Sequence, residues 1–438
     1  NEPKMMRPPT IYLENYGCTS NLFDYEVIRG ILRNIGYVLT ENEQNADAVI
    51  INSCGVKKQT EDKILHRLKQ VNSLGKPVIV TGCLPKINLN AIFKAAPEAW
   101  TLDPTSLYKL PEVLQKAVKA NPTTLKLTEY TVKLLMPKFR CNRLREIVLI
   151  SEGCLGECTY CCARNARGRL ASYPPEMIIS TVKKAVGEGV KEICLTAQDT
   201  GSYGLDIGTT LPSLLQRIID IPGDFKVRLG MMNPDRAFRL RPSLIPLLKH
   251  EKMYRFLHIP VQSGSDKALT HMKRRYTRSE FIELVKAVRE SVEDVTIATD
   301  VIVGYPTESE DDFQETITLL EETKPQVVNV SRYTPRPQTP AAKLPPLSKT
   351  TVTNRLKHIS NICRRIALRW NSLTLHKKYQ VRILEKSSRG NYVGRTHNYR
   401  RVIITYSPRN LLGETALVRI EGFTERYLLG SIVEDPHD

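Results

Sequence analysis

Three closely spaced cysteines in the middle of the chain could hold a metal centre, in the run Cys154-Leu-Gly-Glu-Cys158-Thr-Tyr-Cys161. Three thiolates on one short loop can bind three irons of a cubane iron–sulfur cluster and leave the fourth iron without a protein ligand. A zinc site is the alternative, but a structural zinc site usually needs four ligands. Cys162 could be the fourth, although its adjacency to Cys161 makes chelation by both awkward. The spacing therefore favours an iron–sulfur cluster over zinc.

Three further cysteines, Cys18, Cys54 and Cys83, are far apart in sequence, yet each follows a predicted strand. Their separations of 36 and 29 residues are each about one βα unit. A parallel sheet would therefore return all three to the edge at the carboxyl ends of its strands, where open α/β sheets bind ligands. A lone cysteine is usually a small buried hydrophobe, but three equivalent topological positions are hard to explain by chance. This pattern predicts a second three-thiolate cluster, again with one iron open. The three strands are predicted at Thr10–Asn15, Ala48–Asn52 and Val78–Thr81.

The elements that must position these cysteines alternate between strands and helices along most of the chain. The first hundred residues have a βαβαβ rhythm, which predicts a doubly wound α/β domain with a parallel sheet. From Glu146 a βα rhythm repeats six times, two units short of a closed eight-stranded barrel, so we expect a partial (β/α)6 barrel. The CxxxCxxC loop follows the first barrel strand, and active sites lie where barrel strands give way to loops. The barrel strands are predicted at residues 147–151, 192–196, 226–230, 256–260, 297–303 and 327–332.

The end of the chain changes character after a cluster of prolines and one long amphipathic helix. Its short strands with turn signals predict a small β-barrel of about the size of an OB-fold. The fold class is therefore α/β with three expected domains. They are an N-terminal α/β domain at residues 9–119, a central barrel core at 140–371 and a small C-terminal β-barrel at 372–434.

Charge and composition narrow the class of protein. The 438 residues include 64 Lys+Arg against 46 Asp+Glu, a net charge of +18, which indicates a polyanionic partner such as nucleic acid. No apolar run reaches the roughly 18–20 residues that a membrane helix needs, and the N-terminus lacks an apolar signal core. We therefore expect a cytoplasmic protein without membrane contact. Thiols stay reduced in that compartment, so ten cysteines point to metal or redox chemistry rather than to disulfides.

Many of the basic residues are concentrated between His376 and Arg401, inside the predicted terminal β-barrel. Cations that follow phosphates and aromatic rings that stack on bases are what single-stranded RNA binding uses. A solvated basic face is the alternative, because basic surfaces are common. The cations are Lys377, Lys378, Arg382, Lys386, Arg389, Arg395, Arg400 and Arg401, and the aromatic residues are Tyr379, Tyr392 and Tyr399.

A CxxxCxxC loop after the first strand of a six-unit partial barrel strongly resembles the radical S-adenosylmethionine enzymes. The resemblance implies that the open iron of a 4Fe-4S cluster chelates S-adenosylmethionine, and that an electron from the cluster cleaves it to a 5′-deoxyadenosyl radical. It also implies that Tyr160 fills the family's aromatic position before the last cysteine. The family places S-adenosylmethionine contacts in loops after later strands, where Gln198, Asp199 and Gln262 are candidates. Plain turn chemistry is the alternative for each of these loops.

Two three-cysteine sites, a leading α/β domain and a small terminal β-barrel together look like the methylthiotransferases, from about Ile11 to Glu434. The resemblance identifies the terminal barrel with that family's RNA-binding TRAM module. It implies two 4Fe-4S clusters, one on the CxxxCxxC loop that makes the radical and one on the N-terminal cysteines that holds the sulfur to be transferred. It implies that S-adenosylmethionine is used twice, with an external electron donor, and it assigns no catalytic residue beyond the cluster ligands. We expect a monomer.

The string that follows the CxxxCxxC loop narrows the substrate. Ala166-Arg-Gly-Arg-Leu-Ala-Ser-Tyr-Pro174 looks like the archaeal and eukaryotic threonylcarbamoyladenosine tRNA methylthiotransferases. This resemblance implies that N6-threonylcarbamoyladenosine next to the tRNA anticodon gains a 2-methylthio group. Three arginines could bind the threonylcarbamoyl carboxylate or RNA phosphates through their planar forks, and structural pairing near the cluster is the alternative. They are Arg164, Arg167 and Arg169. The eukaryotic members carry a C-terminal membrane anchor and this chain ends without one, so an archaeal-type member is expected.

Other functions stay open at this point. Isopentenyladenosine in tRNA or an aspartate of a ribosomal protein could be the substrate of the same chemistry. A non-enzymatic RNA-binding protein with zinc on its cysteines, or a redox iron–sulfur protein that does not use S-adenosylmethionine, would use the cysteines differently. Neither of the last two explains six barrel-like units together with a basic terminal β-domain.

Overall fold

The computed structural model describes residues 7–118, 132–405, 407 and 409–433 of the chain. The chain divides into two compact units. Unit 1 comprises residues 1–141, 152–171 and 334–342, and unit 2 comprises residues 142–151, 172–333 and 343–438. The CxxxCxxC loop thus belongs to the same unit as the N-terminal cysteines, although its neighbours in sequence are barrel strands. The predicted domain limits at 119 and 434 lie outside the described residues, and the three-domain division stays a prediction.

The N-terminal sheet of unit 1 has five strands: β1 (Thr10–Asn15), β2 (Val38–Thr40), β3 (Ala48–Ser53), β4 (Val78–Gly82) and β5 (Trp100–Thr101). Their order is β2-β1-β3-β4-β5, and every neighbouring pair is parallel. The central strands β3 and β4 are buried along their whole length, as the Val- and Ile-rich strands of a parallel sheet must be. This order is one of the common doubly wound arrangements, so the predicted fold of this region is confirmed.

The helices of unit 1 are α1 (Thr19–Asn34), α2 (Lys58–Asn72), α3 (Leu84–Ile87), α4 (Leu89–Ala95), α5 (Leu110–Val118) and α6 (Ala163–Arg167). The sequence predicts that α1 begins at Asp24, and this start is wrong. The residues of its first turn are polar, so they break the apolar pattern, yet Ser20, Asn21 and Asp24 are all buried. The helix therefore presents a polar first turn to the interior, directly after Cys18.

The central barrel of unit 2 contains β6 (Arg145–Leu149), β9 (Glu192–Thr196), β10 (Lys226–Leu229), β11 (Phe256–His258), β12 (Thr296–Val303) and β13 (Val327–Arg332). The short strands β7 (Ser151–Glu152) and β8 (Ala171–Ser172) flank the CxxxCxxC loop along the chain. Parallel pairing gives two three-stranded sheets, β10-β9-β6 and β11-β12-β13. A parallel bridge from Val227 to Met253 connects them. The predicted partial barrel of six strands is confirmed.

The helices of unit 2 are α7 (Pro175–Gly187), α8 (Leu211–Ile219), α9 (Pro234–Leu248), α10 (Asp266–His271), α11 (Arg278–Ser291), α12 (Glu310–Thr323) and α13 (Lys349–Ser372). Capping boxes at Thr277 and Ser309 start α11 and α12. The sequence predicts a start of α9 at Pro242, and this is wrong. Pro234 takes the first-turn position that suits proline, whereas Pro242 lies inside the helix. Within the described ranges, no helix is both long enough and apolar enough to cross a membrane.

The terminal barrel, also in unit 2, contains β14 (Lys378–Lys386), β15 (Tyr392–Arg395), β16 (Arg401–Ile404), β17 (Thr415–Phe423) and β18 (Leu428–Ile432). The strands close in the order β14-β15-β16-β18-β17. Alternating apolar residues such as Val381, Ile383, Val402 and Val418 fill the interior. The predicted small β-barrel is confirmed.

Candidate functional site

Backbone N–H groups of the CxxxCxxC loop point at its cysteine sulfurs. Gly156 N donates to Cys154 Sγ at 3.2 Å, and Ala163 N donates to Cys161 Sγ at 3.4 Å. A Cβ built on Gly156 would lie 3.2 Å from Cys154 Sγ and 3.6 Å from Cys158 Sγ, so both sulfurs border the same glycine. Hydrogen bonds donated to sulfur favour the thiolate form, which is the form that binds metals.

A glycine and a main-chain contact close this loop. Gly153 has φ +74°, and a Cβ there would lie 2.0 Å from Arg169 O, so the position requires glycine. Cys154 N donates to Gly168 O at 3.2 Å. Burial raises the pKa of Cys161, because an anionic sulfur loses its hydration there. A buried thiolate at this position therefore needs a bound cation, which iron would supply.

The spacing of the three loop cysteines is the observation that bears on the kind of metal centre. Three thiolates on one short loop suit three irons of a cubane cluster, whereas a structural zinc site needs four ligands. Cys162, the candidate for a fourth ligand, is buried in a cluster with Cys83. The loop also carries the partly buried Tyr160.

The parallel sheet brings Cys18, Cys54 and Cys83 to one edge. The strands β1, β3 and β4 are neighbours in the sheet, and each cysteine follows the end of its strand within three residues. Cys83 N donates to Ser53 O at 2.8 Å, which places Cys83 beside the residue before Cys54. Burial raises the pKa of Cys83 to about 11, while the positive charge of Arg167 lowers it and the thiolates of Cys18 and Cys54 raise it. Three thiolates at this edge would therefore repel one another without a bound metal centre.

One buried amide, Asn21 in the first turn of α1, contacts the segments of all three N-terminal cysteines. Its Nδ2 donates to Ser53 O at 2.9 Å. Its Oδ1 lies 3.6 Å from Cys18 Sγ and 3.9 Å from Cys83 Sγ, each in hydrogen-bond geometry. The sequence analysis missed this residue. Its position in the sequence could have indicated the contact, because Asn21 follows Cys18 by three residues and so lies within one helical turn of it.

A buried ion network lies next to this amide. Arg167 Nη2 donates to Asp24 Oδ2 at 2.6 Å and to Asn21 Oδ1 at 3.4 Å, and its Nη1 donates to Glu152 Oε1 at 3.3 Å. Lys133 Nζ donates to Asp24 Oδ1 at 3.0 Å and to Glu152 Oε1 at 2.6 Å. Two cations and two carboxylates are thus buried together beside the N-terminal cysteines. The sequence analysis missed Asp24, Glu152 and Lys133. The feature of the sequence that could have indicated a buried ion pair is a charged residue on the apolar face of a helix, as at Asp24.

The three arginines predicted to bind substrate differ in their surroundings. The side chain of Arg167 is 2% exposed, and two carboxylates bind its guanidinium. Arg167 therefore has the structural role that was the alternative to substrate binding. Binding of substrate would separate a buried cation from its two carboxylates, which costs much free energy. Arg164 is partly exposed and pairs with Glu157 at 3.1 Å. Arg169 is exposed.

Cys162 packs between the CxxxCxxC loop and the edge of the N-terminal sheet. It is fully buried in a cluster with Cys83, Ile87 and Ala166. Its sulfur lies 3.6 Å from Gly55 O, the carbonyl that follows the second N-terminal cysteine. Burial raises the pKa of the Cys162 thiol. The residue that follows the CxxxCxxC loop therefore packs beside Cys83 of the N-terminal set.

A second buried ion pair holds the segment after β3. Arg336 Nη2 donates to Gly55 O at 2.5 Å and pairs with Glu61 of α2, and both side chains are at most 3% exposed. Asn88 Nδ2 also donates to Glu61, at 2.9 Å. The segment that carries Cys54 is thus fixed by a charge from far along the chain, which the sequence analysis did not identify.

The residues predicted to contact S-adenosylmethionine lie in unit 2, in loops after β9 and β11. Asp199 is buried and accepts hydrogen bonds from Ser202 Oγ and Asn233 Nδ2, each at 2.7 Å. The bond from Ser202 corresponds to the turn chemistry that was the alternative, whereas the bond from Asn233 joins two separate loops. Gln262 is a non-glycine residue with φ +68°, a strained conformation that is concentrated at functional sites. Gln198 is partly buried.

The tyrosines of the terminal barrel include two whose rings pack inside the protein. The ring centroid of Tyr399 lies 4.8 Å from that of Tyr254 and 5.1 Å from that of Phe256, both in the central barrel. Tyr392 is 5% exposed. The prediction of stacking on RNA bases is wrong for Tyr392, whose ring protein covers. It stays a prediction for Tyr399, which is partly buried. Arg400 likewise donates to a main-chain carbonyl of α13, at 3.1 Å.

The remaining cations of the terminal barrel divide into a structural pair and an exposed group. Arg382 donates to both carboxylate oxygens of Asp224, at 2.9 and 2.6 Å, and so binds the terminal barrel to the central barrel. Lys378 and Arg419 are directly opposite on β14 and β17. Like charges in that position destabilise a sheet, so an anionic partner would stabilise this face. The exposed cations are Lys377, Lys378, Lys386, Arg389, Arg401, Arg409, Arg419 and Arg426.

A cavity of about 320 Å³ lies at the N-terminal ends of β10 and β11. Its lining includes Lys226, Lys249, Arg255 and His397. These strand ends are opposite to the loops that carry the predicted S-adenosylmethionine contacts, so the cavity is not that site. Its basic lining adds to the positive charge near the terminal barrel.

Three family models match successive parts of the chain. Uncharacterized protein family UPF0004 matches residues 10–102, the radical SAM superfamily matches residues 148–320 and the TRAM domain matches residues 374–433. The order of these modules agrees with the order of the folds, and it confirms the predicted radical S-adenosylmethionine barrel and terminal TRAM barrel.

Relatives align along nearly the whole chain. A probable threonylcarbamoyladenosine tRNA methylthiotransferase of Pyrococcus horikoshii is 40% identical over 97% of this chain and 99% of its own. The corresponding protein of Methanothermobacter thermautotrophicus is 39% identical over 96% of this chain and 98% of its own. The human threonylcarbamoyladenosine tRNA methylthiotransferase is 35% identical over 97% of this chain and 74% of its own.

Among solved structures, the radical S-adenosylmethionine methyltransferase TsrM of Kitasatospora setae has a TM-score of 0.58. The match covers 77% of this chain and 75% of TsrM at 14% identity. At that identity the similarity supports the fold alone.

Proposed function

The chain belongs to the threonylcarbamoyladenosine tRNA methylthiotransferase family of radical S-adenosylmethionine enzymes, and on that premise we propose that it modifies tRNA. The proposed reaction converts N6-threonylcarbamoyladenosine next to the anticodon to its 2-methylthio derivative. The observation that carries the proposal is that Cys162, the residue after the CxxxCxxC loop, packs in one buried cluster with Cys83 of the N-terminal set, within one unit of the protein. One set alone would serve radical formation, whereas insertion of sulfur needs a second place to hold it.

We assign one 4Fe-4S cluster to each set: Cys154, Cys158 and Cys161 for the first, and Cys18, Cys54 and Cys83 for the second. When bound, the clusters and S-adenosylmethionine would supply a carbon-centred radical and a transferable sulfur, which acid–base groups cannot provide. The chain supplies the thiolates, the N–H groups of the CxxxCxxC loop and the buried cation beside the N-terminal set.

Contacts to S-adenosylmethionine are assigned to Tyr160, Gln198 and Gln262. The strained backbone of Gln262 supports its assignment. Asp199 is assigned an organising role, because its carboxylate oxygens accept hydrogen bonds from the neighbouring loop. Arg164 is assigned to the threonylcarbamoyl carboxylate or to RNA phosphates, since its guanidinium is partly exposed.

Arg169 is also assigned to the threonylcarbamoyl carboxylate or to RNA phosphates, because it is exposed. The tRNA backbone is assigned to the exposed cations of the terminal barrel, where the unfavourable Lys378 and Arg419 pair supports an anionic partner. An external electron donor is part of the proposal because the radical chemistry consumes an electron. A monomer and a cytoplasmic location remain predictions from the sequence.

The proposal is tested by anaerobic reaction of the iron-loaded protein with tRNA that carries threonylcarbamoyladenosine, followed by mass spectrometry of the nucleosides. We expect the 2-methylthio derivative from the wild type. Replacement of Cys18, Cys54 and Cys83 by Ala should abolish the methylthio product while 5′-deoxyadenosine still forms, because the CxxxCxxC set stays intact.

Two parallel substrates separate this proposal from its alternatives. Modification of tRNA with isopentenyladenosine, or of a ribosomal protein, in place of the threonylcarbamoyladenosine tRNA would contradict the substrate assignment. A normal methylthio yield from the triple variant would contradict the role of the N-terminal set. Protein that binds zinc, gains no iron on reconstitution and forms no 5′-deoxyadenosine would be a non-enzymatic RNA-binding protein.

A further inference from the structure

Asn21 and Arg167 are two buried polar residues that cluster ligation alone does not explain. Asn21 is 1% exposed and the side chain of Arg167 is 2% exposed. We propose that both are positioning residues for the second cluster: Asn21 holds the three cysteine segments together, and Arg167 places a fixed positive charge beside the thiolates of Cys18 and Cys83. The inference rests on the proposed function, which assigns the second cluster.

The geometry of Asn21 supports the first half of the proposal. Its two side-chain atoms reach three separate segments, because Nδ2 donates to Ser53 O and Oδ1 accepts from the sulfurs of Cys18 and Cys83. Its main-chain oxygen also accepts from Asn52 Nδ2 at 2.7 Å. A single side chain with these contacts sets the spacing of the cysteine segments before any metal is bound.

Metal binding creates the need for Arg167. Cysteine ligands lose their protons when they bind metal, so Cys18 and Cys83 can then no longer donate to Asn21 Oδ1. That oxygen would face two anionic sulfurs, and the guanidinium of Arg167, 3.4 Å away, is the donor that remains in contact with it. The same positive charge offsets the charge of the Cys83 thiolate, which is buried and therefore feels strong Coulomb interactions.

The ion network explains how a cation is kept in this place. Asp24 and Glu152 each accept from one nitrogen of the Arg167 fork, and Lys133 bridges the same two carboxylates. The four charges cancel, which makes burial of the group tolerable. The planar fork of arginine fixes the direction of its donors, which a lysine amine does not do.

A structural role alone and an electrostatic role make different predictions. The cluster gains negative charge when it is reduced, so a nearby cation favours the reduced form. Loss of that cation should lower the ratio of reduced to oxidised cluster about tenfold at a fixed potential, which corresponds to 59 mV for one electron. A purely structural residue would change stability or iron content but not this ratio in the molecules that hold iron.

The test uses the full chain with Cys154, Cys158 and Cys161 replaced by Ala, so that bound iron belongs to the N-terminal set. The variants are Arg167→Gln, Arg167→Lys and Asn21→Asp. Arg164→Gln is the matched control, because it removes an exposed pair from the same helix. Iron content and the reduced fraction at a fixed potential are measured by chemical iron analysis and electron paramagnetic resonance, after circular dichroism shows that each variant is folded.

We expect Arg167→Gln to lower the ratio of reduced to oxidised cluster about tenfold, Arg167→Lys to stay within about threefold of the parent and Arg164→Gln to leave it unchanged. Asn21→Asp should lower both iron content and the ratio, because it places a carboxylate beside the thiolates and removes the donor to Ser53 O. If Arg167→Gln does not fold, Asn21→Asp decides. Iron-loaded Arg167→Gln or Asn21→Asp protein with the parent's ratio would overturn the inference, whereas a parent that binds no iron would overturn the second cluster and the inference with it.

Discussion

The two cysteine sets of this protein are built in different ways. The CxxxCxxC set obtains its geometry from eight consecutive residues, 154–161, and main-chain N–H groups of Gly156 and of the nearby Ala163 donate to two of the sulfurs. The N-terminal set collects residues 18, 54 and 83 through three parallel strands and holds them with a buried amide and ion network. A site made by local spacing tolerates changes elsewhere in the fold, whereas a site made by tertiary contacts inherits the stability of every segment that forms it.

The largest expected effect comes from Gly82→Ala at the end of β4. Gly82 has φ +87°, and a Cβ there would lie 2.3 Å from Ser53 O and 2.7 Å from Ser53 N. Backbone strain and the main-chain clash should together destabilise unit 1 by roughly 2–5 kcal/mol and displace Cys83. We expect the iron of the N-terminal set to be lost while 5′-deoxyadenosine still forms, measured by iron analysis and chromatography of the reaction products.

Gly75→Ala is the matched control for this change. Gly75 also has a positive φ, +66°, but no heavy atom lies within 4 Å of the added Cβ. It should cost only the conformational strain, about 1–2 kcal/mol, and leave both iron sites loaded. Equal loss of iron in the two variants would show that general destabilisation, and not the position of Cys83, removes the cluster.

An intermediate effect is expected from Arg336→Gln. This change leaves Glu61 buried without its main cationic partner, although the half-exposed Lys58 still reaches it at 3.3 Å. Loss of one partner of a buried pair costs about 3 kcal/mol or more, so the thermal unfolding midpoint should fall. Cys54 should lose its fixed position, because Arg336 also donates to the carbonyl that follows it.

Arg164→Gln serves as the control for the ion pair. Its pair with Glu157 is partly exposed, and such a pair contributes at most about 1 kcal/mol. A midpoint for Arg336→Gln equal to that of Arg164→Gln would mean that the buried pair does not stabilise the segment of Cys54.

The smallest effect is expected from Gly156→Ala in the CxxxCxxC loop. The added Cβ would lie 3.2 Å from Cys154 Sγ and 3.6 Å from Cys158 Sγ, so one sulfur must move by a few tenths of an ångström. We expect about a twofold lower yield of 5′-deoxyadenosine, since small displacements of reacting groups have graded effects. Iron on the N-terminal set should not change. Complete loss of 5′-deoxyadenosine would show that the local set is as sensitive as the tertiary one.

Much of the fold followed from periodicity and capping signals. The predicted strands 192–196 and 327–332 agree with the observed limits to the residue, because short runs of apolar residues mark them. A capping box marks the start of the observed helix α11. The start of α9 could not be predicted in this way, since proline in the helix interior contradicts the usual rule. The prediction of where α1 begins was wrong because the first turn of this helix buries polar residues. Burial of polar side chains is favourable only when they find partners, and here the partners lie in other segments of the chain.

Some residues of the candidate site could be predicted from the sequence and others could not. The cysteines were recognisable because their spacing is a property of the chain or of a regular βα repeat. The partners of Arg167 were not, since Asp24 lies 143 residues away and no local pattern relates the two. The tyrosines of the terminal barrel were assigned to RNA from composition, and burial contradicts that assignment for Tyr392.

The sequence by itself determined the order of the modules, the chelating loop and the sheet edge at which the N-terminal cysteines meet, because short spacings and a repeating element length limit where the chain can go. Tertiary structure alone decided which charges became buried partners and which stayed exposed. Desolvation depends on what covers a group, and Asn21 and Arg167 are covered by segments that lie far from them along the chain.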